Sequence, residues 1–298
     1  MSAFSHVPVL YEETLDALAL RAGGVYADCT LGGAGHAEGI LLRSGPDGRL
    51  IGIDRDPAAL VAAHSRLAPF GGRATIVHAT FEQLPTVLAD AGLTRVHGVL
   101  ADVGVSSPQL DLPERGFSFG QDGPLDMRMD SSSGETAEEL IARLDADGLA
   151  NVIYELGEER RSRPIARSIK NAQEEGRLRT TGDLRAAVVR VMGPRSGKID
   201  SATRTFQALR LAVNRELDQL TALVAALPDV LEDDGIAAII SFHSLEDRIV
   251  KWAFRDDPRL TPTTKRPVIA GEAELAANPR ARTAKLRVAR RVPREVAP

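Results

Sequence analysis

Acidic residues and glycines stand close together at two points in the first part of the chain. Asp28 stands before a turn that contains Gly32, Gly33 and Gly35. Glycines at such a turn let the backbone approach a ligand closely and bend into the start of a helix. Asp54 follows Gly35 by 19 positions, where an acid can bind the two hydroxyl groups of a ribose. The pattern predicts a nucleoside-binding site.

The same turn narrows the class of nucleoside. From Gly33 the residues read Gly-Ala-Gly-His-Ala-Glu, which lacks the third glycine of a diphosphate-binding dinucleotide fold. Acids before the turn and after the next strand favour instead a cationic adenosyl ligand such as S-adenosylmethionine. The alternative interpretation is a glycine turn that only packs against its neighbours.

Two further residues stand at the ends of predicted strands. Phe81 follows the third strand, where an adenine can lie against its ring, although a single phenylalanine is as often a core residue. Asp102 ends the fourth strand, beside the crevice in which open α/β sheets bind ligands. At that position it would face a methyl donor and an acceptor nitrogen. His36 and His243 fit packing or hydrogen-bonding roles better than the role of a base.

The single cysteine limits the possible chemistry. Cys29 lies in a predicted strand, and one cysteine excludes a disulfide framework or a thiolate metal cluster. Methylation of a pyrimidine at C5 generally needs a cysteine nucleophile, and Cys29 stands on the first strand rather than on a later loop. Transfer to an exocyclic amine needs only an acceptor, such as Asp102 or a backbone carbonyl, to orient the amine.

Another acidic pair permits two interpretations. Asp126 and Asp130 flank the sequence Met127-Arg128-Met129. The two carboxylates can bind a metal, but the neighbouring arginine makes internal ion pairs the favoured interpretation, and we predict no metal site.

Strands and helices alternate over the first hundred residues and would position these side chains. This alternation predicts βαβ units and a mostly parallel sheet. The predicted strands are 25–29, 49–54, 74–79 and 96–102, and the predicted helices are 36–43, 57–67 and 82–91.

The pattern then changes, which predicts an insertion. The stretch 100–130 leaves a strand for a long loop without helical or strand period, and such loops are often functional. From about 137 to 191 the periodicity is helical throughout. A long helix, 205–227, precedes the returning strand signals at 235–242 and 286–289. We therefore predict a discontinuous sheet domain, residues 1–110 and 205–298, interrupted by a helical domain, residues 111–204.

Composition and charge limit the location and the partners of the chain. The 298 residues are 43% hydrophobic, and no stretch reaches about 18 apolar residues, so we expect no membrane span. The N-terminus lacks the pattern of a signal peptide, and we expect a cytoplasmic protein.

The charges are distributed unevenly along the chain. The formal net charge is −4, yet residues 111–159 carry −10, residues 160–215 carry +10 and residues 259–298 carry +7. Basic, arginine-rich segments favour contact with phosphates, although solvated helix surfaces are the simpler alternative.

Several longer motifs resemble one known family along essentially the whole chain. They resemble the bacterial 16S rRNA cytosine-N4 methyltransferases of the MraW type. The motifs are His6-Val-Pro-Val-Leu10, Asp28-Cys-Thr-Leu-Gly-Gly-Ala-Gly-His36, Gly52-Ile-Asp-Arg-Asp-Pro57, Asp102-Val-Gly-Val-Ser-Ser-Pro-Gln-Leu110, Arg115-Gly-Phe-Ser-Phe119, Asp122-Gly-Pro-Leu-Asp-Met-Arg-Met-Asp130, Thr203-Arg-Thr-Phe-Gln-Ala-Leu-Arg210 and Ser241-Phe-His-Ser-Leu-Glu-Asp-Arg248.

The resemblance implies both a fold and an activity. The fold is a class I, Rossmann-like α/β sheet with an inserted all-helical domain that helps to bind RNA. The activity is S-adenosylmethionine-dependent methylation of N4 of a cytidine in the decoding centre of small-subunit rRNA, near the P site. The family's cofactor contacts fall on Ala34, Gly35, His36, Asp54, Phe81, Asp102 and Gln109 of this sequence.

On this basis Asp102 is the predicted catalytic residue, and part of the helical domain is predicted to contact substrate. Phe117 and Phe119 are candidates to stack on an extruded cytosine, because an enzyme that modifies a base must take it out of its stack. Arg163 and Arg167 are candidates to contact the rRNA backbone. Two alternatives stay open: a non-catalytic RNA-binding assembly factor, and an amino-methyltransferase acting on DNA or a small molecule.

Overall fold

In the described part of the chain, nine strands form one large sheet and one small hairpin. The computed structural model describes residues 8–196 and 199–294. The strands are β1 (Val25–Asp28), β2 (Arg49–Asp54), β3 (Ala74–His78), β4 (Val96–Asp102), β5 (Arg195–Ser196), β6 (Ile199–Asp200), β7 (Leu231–Ser241), β8 (Leu260–Pro262) and β9 (Lys285–Arg291).

The large sheet has seven strands in the order β3-β2-β1-β4-β7-β9-β8. The first five strands in this order (β3, β2, β1, β4 and β7) are parallel to one another. Strand β9 runs antiparallel to both of its neighbours. This arrangement confirms the predicted mostly parallel sheet. Because β2, β1 and β4 are adjacent and parallel, their carboxyl ends lie side by side at one edge of the sheet.

Thirteen α-helices and four short 3₁₀ segments complete the described part of the chain. The helices are α1 (Tyr11–Ala17), α2 (Gly35–Arg43), α3 (Pro57–Leu67), α4 (Leu84–Asp90), α5 (Ser107–Asp111), α6 (Ala137–Arg143), α7 (Ala146–Gly157), α8 (Ser162–Glu174), α9 (Thr181–Met192), α10 (Thr203–Asn214), α11 (Glu216–Val230), α12 (Ser244–Asp256) and α13 (Glu272–Ala277). The 3₁₀ segments are Ala68–Arg73, Phe81–Gln83, Pro113–Arg115 and Pro279–Thr283.

The chain folds into two compact units. One holds the residues up to Gly104 and those from Leu217 onward, and the other is Val105–Glu216. The boundaries predicted at 110/111 and 204/205 both fall inside the second unit, because α5 and α10 belong to it.

The first unit has apolar clusters that cover both faces of its sheet. One cluster joins β1, β4 and β7 to α4, α11 and α12. The other contains residues of α1, α2 and α3 together with the alternate residues of the same strands. Side chains of a strand point alternately to opposite faces, so both faces of the central strands are buried, as a parallel sheet requires.

The second unit has a separate core made by its helices. Its apolar cluster contains residues of α6 to α10 together with Leu125 and Met127 of the preceding loop. Thr136 and Thr180 form capping boxes at the starts of α6 and α9, which satisfy backbone N–H groups at those helix ends.

One predicted helix is wrong in an informative way. The periodic stretch 205–227 is two helices, α10 and α11, because Arg215 between them takes a left-handed conformation with φ 51°. The apolar residues of α10 pack into the core of the second unit, and those of α11 pack into the first. The same apolar spacing therefore continues through two helices that pack into different cores, and the helix breaks at Arg215 between them.

The loop 100–130 is more structured than its sequence predicted. Its first part forms α5 and a 3₁₀ turn at Pro113–Arg115. Gly116, with φ 72°, lies so close to Pro124 that a Cβ atom there would be 2.3 Å from the Pro124 carbonyl oxygen. The loop folds back on itself through contacts that have no sequence period.

Candidate functional site

Three carboxylates end three adjacent strands of the first unit. Asp28 ends β1, Asp54 ends β2 and Asp102 ends β4. In the parallel register Asp28 is paired with Gly52 on one side and Leu100 on the other, so each neighbouring acid lies two residues further along its strand. The structure thus brings together three acids that are far apart in the sequence.

The glycine turn holds the carboxylate of Asp54. The backbone N–H of Gly32, where φ is +48°, donates a 2.8 Å hydrogen bond to Asp54 Oδ2. Asp56 donates its N–H to Asp54 Oδ1, also at 2.8 Å. The Arg55 N–H also donates to this carboxylate, but a carboxylate oxygen can accept from more than one donor, so ligand hydroxyl groups can still bind here. Burial raises the pKa of Asp54 to about 6.

The turn lies against β2 because of a missing side chain. A Cβ atom at Gly52 would be 2.6 Å from Leu31 Cδ2. Only glycine at position 52 therefore lets Leu31, which enters the turn, lie directly over the strand. The Leu31 N–H in turn donates to the Ile53 carbonyl at 3.1 Å. The packing of Leu31 on Gly52 and its hydrogen bond to Ile53 together fix the distance between the glycine turn and the end of β2.

The Asp102 carboxyl group is the least satisfied of the three. Its Oδ1 atom is buried and has no hydrogen-bond partner among the described residues. The backbone N–H of Asp102 donates to Thr30 Oγ1 at 2.6 Å, which ties the end of β4 to the glycine turn. Burial, followed by the negative charges of Asp28 and Glu246, raises the pKa of Asp102 to about 8.

Asp28 lies between the other two acids. Its Oδ1 atom accepts the N–H of Thr30 at 3.1 Å, and 1% of the residue is exposed. Burial, with a further contribution from the charge of Asp54, raises the pKa of Asp28 to about 7. Burial and neighbouring acids raise these three pKa values, and no basic residue is among the influences on them.

A fourth acid was missed by the sequence analysis. Glu246, fully buried in the first turn of α12, accepts the backbone N–H of Phe242 at 2.8 Å. The His243 Nε2 atom lies 2.9 Å from Glu246 Oε1, and His243 Nδ1 faces the backbone N–H of Glu246 as the cap of the helix. The spacing of histidine and glutamate gives a capping signal, but nothing in it predicts an electrostatic effect on Asp102.

These acids fit a cationic ligand. Burying a carboxylate without a counter-charge is costly, so such a group takes up a proton or binds a cation. A sulfonium ion carries a permanent positive charge, and an adenosyl group supplies the two ribose hydroxyls that Asp54 can accept. The residues present at this sheet edge therefore fit S-adenosylmethionine.

The other predicted cofactor residues of the first unit occupy different environments. Ala34 is buried with φ 57° and caps α2, which begins at Gly35. The His36 imidazole stacks on Tyr11, and its Nε2 atom lies 3.2 Å from the Val9 carbonyl oxygen.

Aromatic and amide side chains from the list of predicted cofactor contacts are also buried. Phe81 is 8% exposed and belongs to the core cluster of β1 and β4. Gln109, in the second unit, is buried and closes a capping box with Ser106, whose N–H donates to Gln109 Oε1 at 2.9 Å. For Phe81 and Gln109, contact with a cofactor stays a prediction.

The residues predicted to contact substrate are two packed rings, one buried and one half-buried, and two exposed cations. Phe119 packs edge to face on Phe206, with ring centroids 4.8 Å apart, and Phe117 is 7% exposed. Arg163 and Arg167 project into solvent from α8 and form no ion pair with any described residue. Stacking of a base on either phenylalanine stays a prediction, and it requires a ring to leave its present packing.

The ion pairing predicted for the acid pair in the loop is present at Asp126. Asp126 forms a bidentate ion pair with Arg128, with oxygen-to-nitrogen distances of 2.8 Å. Asp130 accepts instead from the hydroxyl groups of Ser132 and Ser133.

Two features define a class I, S-adenosylmethionine-dependent methyltransferase. One is the strand order with β9 antiparallel to its neighbours, and the other is the set of acids at the ends of β1, β2 and β4. The model of the MraW methylase family matches residues 3–292 of the chain. The protein belongs to this family, which confirms the predicted class and cofactor.

Named relatives match over nearly their whole length. The chain is 58% identical to ribosomal RNA small subunit methyltransferase H of Sorangium cellulosum, covering 96% of this chain and 91% of that protein. It is 47% identical to the protein of the same name from Citrifermentans bemidjiense, covering 98% and 100%. The solved structure of an rRNA methylase from Streptococcus thermophilus aligns with a TM-score of 0.46 at 10% identity, covering 97% and 99%.

Among the described residues, none of the helices has both the length and the apolar character that are needed to span a bilayer.

Proposed function

We propose that this methylase transfers the methyl group of S-adenosylmethionine to N4 of a cytidine in the decoding centre of 16S rRNA, near the P site. The names of the relatives support small-subunit rRNA as the substrate. The observation that carries the choice of an amine is the buried Oδ1 atom of Asp102, which has no partner among the described residues. Because that substrate is part of the small ribosomal subunit, we propose action in the cytoplasm.

Asp102 supplies the acceptor that an exocyclic amine needs. When bound, S-adenosylmethionine provides a methyl group made electrophilic by its positively charged sulfur. The nitrogen lone pair of a cytosine amine is conjugated with the ring, and an oxygen that accepts one N–H hydrogen frees that pair for attack. As the new N–C bond forms and the bond between the methyl group and sulfur breaks, the amine must lose one proton. The ionised Oδ1 of Asp102 is suited to accept it.

The remaining acids hold the cofactor rather than the substrate in this proposal. Asp54 accepts the ribose hydroxyls, and Asp28 contributes negative charge below the glycine turn. Further cofactor contacts are proposed on Ala34, Gly35, His36, Phe81, Asp102 and Gln109.

Methylation at a pyrimidine carbon is disfavoured by the single cysteine. Cys29 is 2% exposed within the core of the first unit, and burial, followed by the charge of Asp28, raises the pKa of its thiol. A covalent route through C6 needs an accessible thiolate, and Cys29 offers neither property.

The second unit is proposed to bind the RNA. The start of α8 presents exposed arginines that form no ion pair with described residues. Guanidinium groups in this state are available for phosphates. The residues concerned are Arg160, Arg161, Arg163 and Arg167.

Methyl transfer to purified small subunits, followed by mass mapping of the modified nucleosides, tests this proposal. We expect one N4-methylated cytidine in 16S rRNA, and Asp102→Ala should lower turnover by roughly 100-fold or more. Asp90→Ala, which removes an exposed acid from α4 of the same unit, is the matched control and should retain turnover. A methyl group on a ring carbon, or near-normal turnover by Asp102→Ala, would contradict the proposal.

A further inference from the structure

A groove on the first unit has no part in the site described above. We call it the Trp252 groove; it lies between α11, α12 and the turn that follows α12, and its volume is about 750 Å³. This volume lies in the range of sites for small ligands. We propose that the groove binds an unpaired nucleobase of the RNA, stacked on the indole of Trp252. The inference rests on the proposed RNA substrate and adds a second point of contact to it.

The walls of the groove are apolar, and its most prominent side chain is aromatic. Val224 and Ala225 of α11 face Ile249 and Ala253 of α12 across the groove. The Trp252 residue lines it with 41% of its surface exposed. A single exposed aromatic residue is ordinary, but an exposed indole that lines an apolar groove offers a flat surface to a flat ligand.

Two cations contact the indole ring of Trp252. The Arg255 guanidinium carbon lies 3.8 Å from the ring centroid, and the Lys251 ammonium lies 5.1 Å from it. Cation–π contacts of this kind hold a ring in place and favour arginine. A base that stacks on the indole would share the ring with these cations or displace one of them. Nucleic-acid-binding proteins combine aromatic stacking with arginine in this manner.

The charges around the groove favour phosphate. Its acids are matched by arginines: Asp256 pairs with Arg255 at 2.9 Å, and Asp257 pairs with Arg259 at 2.8 Å. Arg248 also lines the groove, one turn before Trp252 on the same face of α12. With Lys251, Arg255 and Arg259 it places four cations around the groove, and the acids paired with Arg255 and Arg259 are Asp256, Asp257 and Asp229. An apolar peptide would contact only the apolar walls of the groove, whereas a nucleotide would contact the walls with its base and the cations with its phosphate.

The protein contains one tryptophan, so its fluorescence reports on this groove alone. The first experiment titrates the full chain with a short single-stranded RNA, and stacking should quench the emission in a saturable manner. Inorganic polyphosphate, which has charge but no bases, should leave the emission nearly unchanged. Equal quenching by both probes, or none by RNA, would overturn the assignment of a base to the groove.

The second experiment measures the binding of a labelled single-stranded RNA by fluorescence anisotropy. Trp252→Ala should weaken binding about tenfold, the loss of one base stack, and Trp252→Phe should recover most of it. Val61→Ala, which shortens an exposed side chain on α3, is the control and should bind as the unchanged protein does. Matching unfolding temperatures for all variants would exclude a folding defect.

The outcomes separate this inference from the proposed function. Trp252→Ala should raise the KM for small subunits about tenfold. A raised KM with unchanged affinity for RNA would indicate a protein occupant and overturn the RNA assignment, while leaving the proposed function intact. If the wild-type protein fails to methylate small subunits but RNA quenches its fluorescence, the proposed function is wrong and the proposed base-binding role of the Trp252 groove is supported.

Discussion

The carboxyl edge of the first unit and the α8 surface of the second unit both gather charges of one sign, but in opposite environments. At the sheet edge, Asp28 is buried and Asp54 and Asp102 are half-buried, and no basic residue is among the influences on their pKa values. On α8, Arg163 and Arg167 are exposed to solvent. The buried acids are costly to ionise and therefore respond strongly to a cation. The exposed arginines cost little, and their effect is collective and sensitive to salt.

This comparison predicts that the largest loss of turnover comes from a substitution at the sheet edge that keeps the shape of the side chain. Asp102→Asn preserves the size of the side chain but removes the proton-accepting carboxylate, so turnover should fall by about 100-fold or more. Steady-state methyl transfer to small subunits measures the effect. Restored turnover at high pH in the variant would show that no ionisation at position 102 is needed, and it would contradict the assignment.

A second prediction concerns the affinity for S-adenosylmethionine. The pKa values of Asp54, Asp28 and Asp102 are raised to about 6, 7 and 8, so part of these groups is protonated at neutral pH. A cationic ligand favours the ionised forms, and binding must release protons. Affinity should rise between about pH 6 and 8, by up to about tenfold per pH unit for each proton released.

Calorimetry in two buffers with different ionisation enthalpies counts those protons. Asp102→Asn should release fewer of them and flatten the upper part of the profile. An affinity that is constant from pH 6 to 8 would show that the cofactor does not meet these carboxylates in their protonated form.

The third prediction tests the exposed side of the comparison. Replacing Arg163 and Arg167 by glutamine should lower RNA affinity at low salt and reduce the slope of log affinity against log salt by roughly 1.5, for two lost phosphate contacts. The matched control replaces Arg143 and Arg177, exposed arginines that are paired with Glu135 and Glu175. An equal reduction in both double variants would mean that only the total charge of the unit matters.

The smallest effect is expected on the stability of the cofactor-free protein. The three acids have folded-state pKa values above the ordinary value of 3.8, so the folded protein holds more protons than the unfolded chain. Their contribution is therefore complete at low pH and is lost as pH rises from about 4 to 8. Thermal unfolding should show this decline, and saturating S-adenosylmethionine should reduce it. A stability that rises across this range would contradict the buried, uncompensated state of the acids.

The sequence predicted the strand ends better than any other part of the site. Strand β2 and strand β4 have the predicted bounds, because buried parallel strands form short apolar runs that end at an acid. That regularity predicts Asp54 and Asp102 at the same edge of the sheet. Their pKa values depend on burial and on one another, and no sequence pattern contains that information.

Other parts needed the fold. Glu246 looks like an ordinary helix cap, and only the pairing of β7 with β4 explains why its charge acts on Asp102. The sequence predicts Phe117 and Phe119 as candidates to stack on a base but not their packing, which buries Phe117 and sets Phe119 against Phe206. The helix break at Arg215 was invisible because the apolar spacing continues across it.

The burial of the single cysteine has a practical consequence for studying the molecule in solution. Cys29 lies in the core of the first unit, where a thiol-specific reagent cannot reach it without unfolding. A cysteine introduced at an exposed position, such as Val61 on α3, would then be the only reactive thiol of the folded protein. Spin labels or fluorophores can therefore be attached at chosen points of either unit without first removing a native residue.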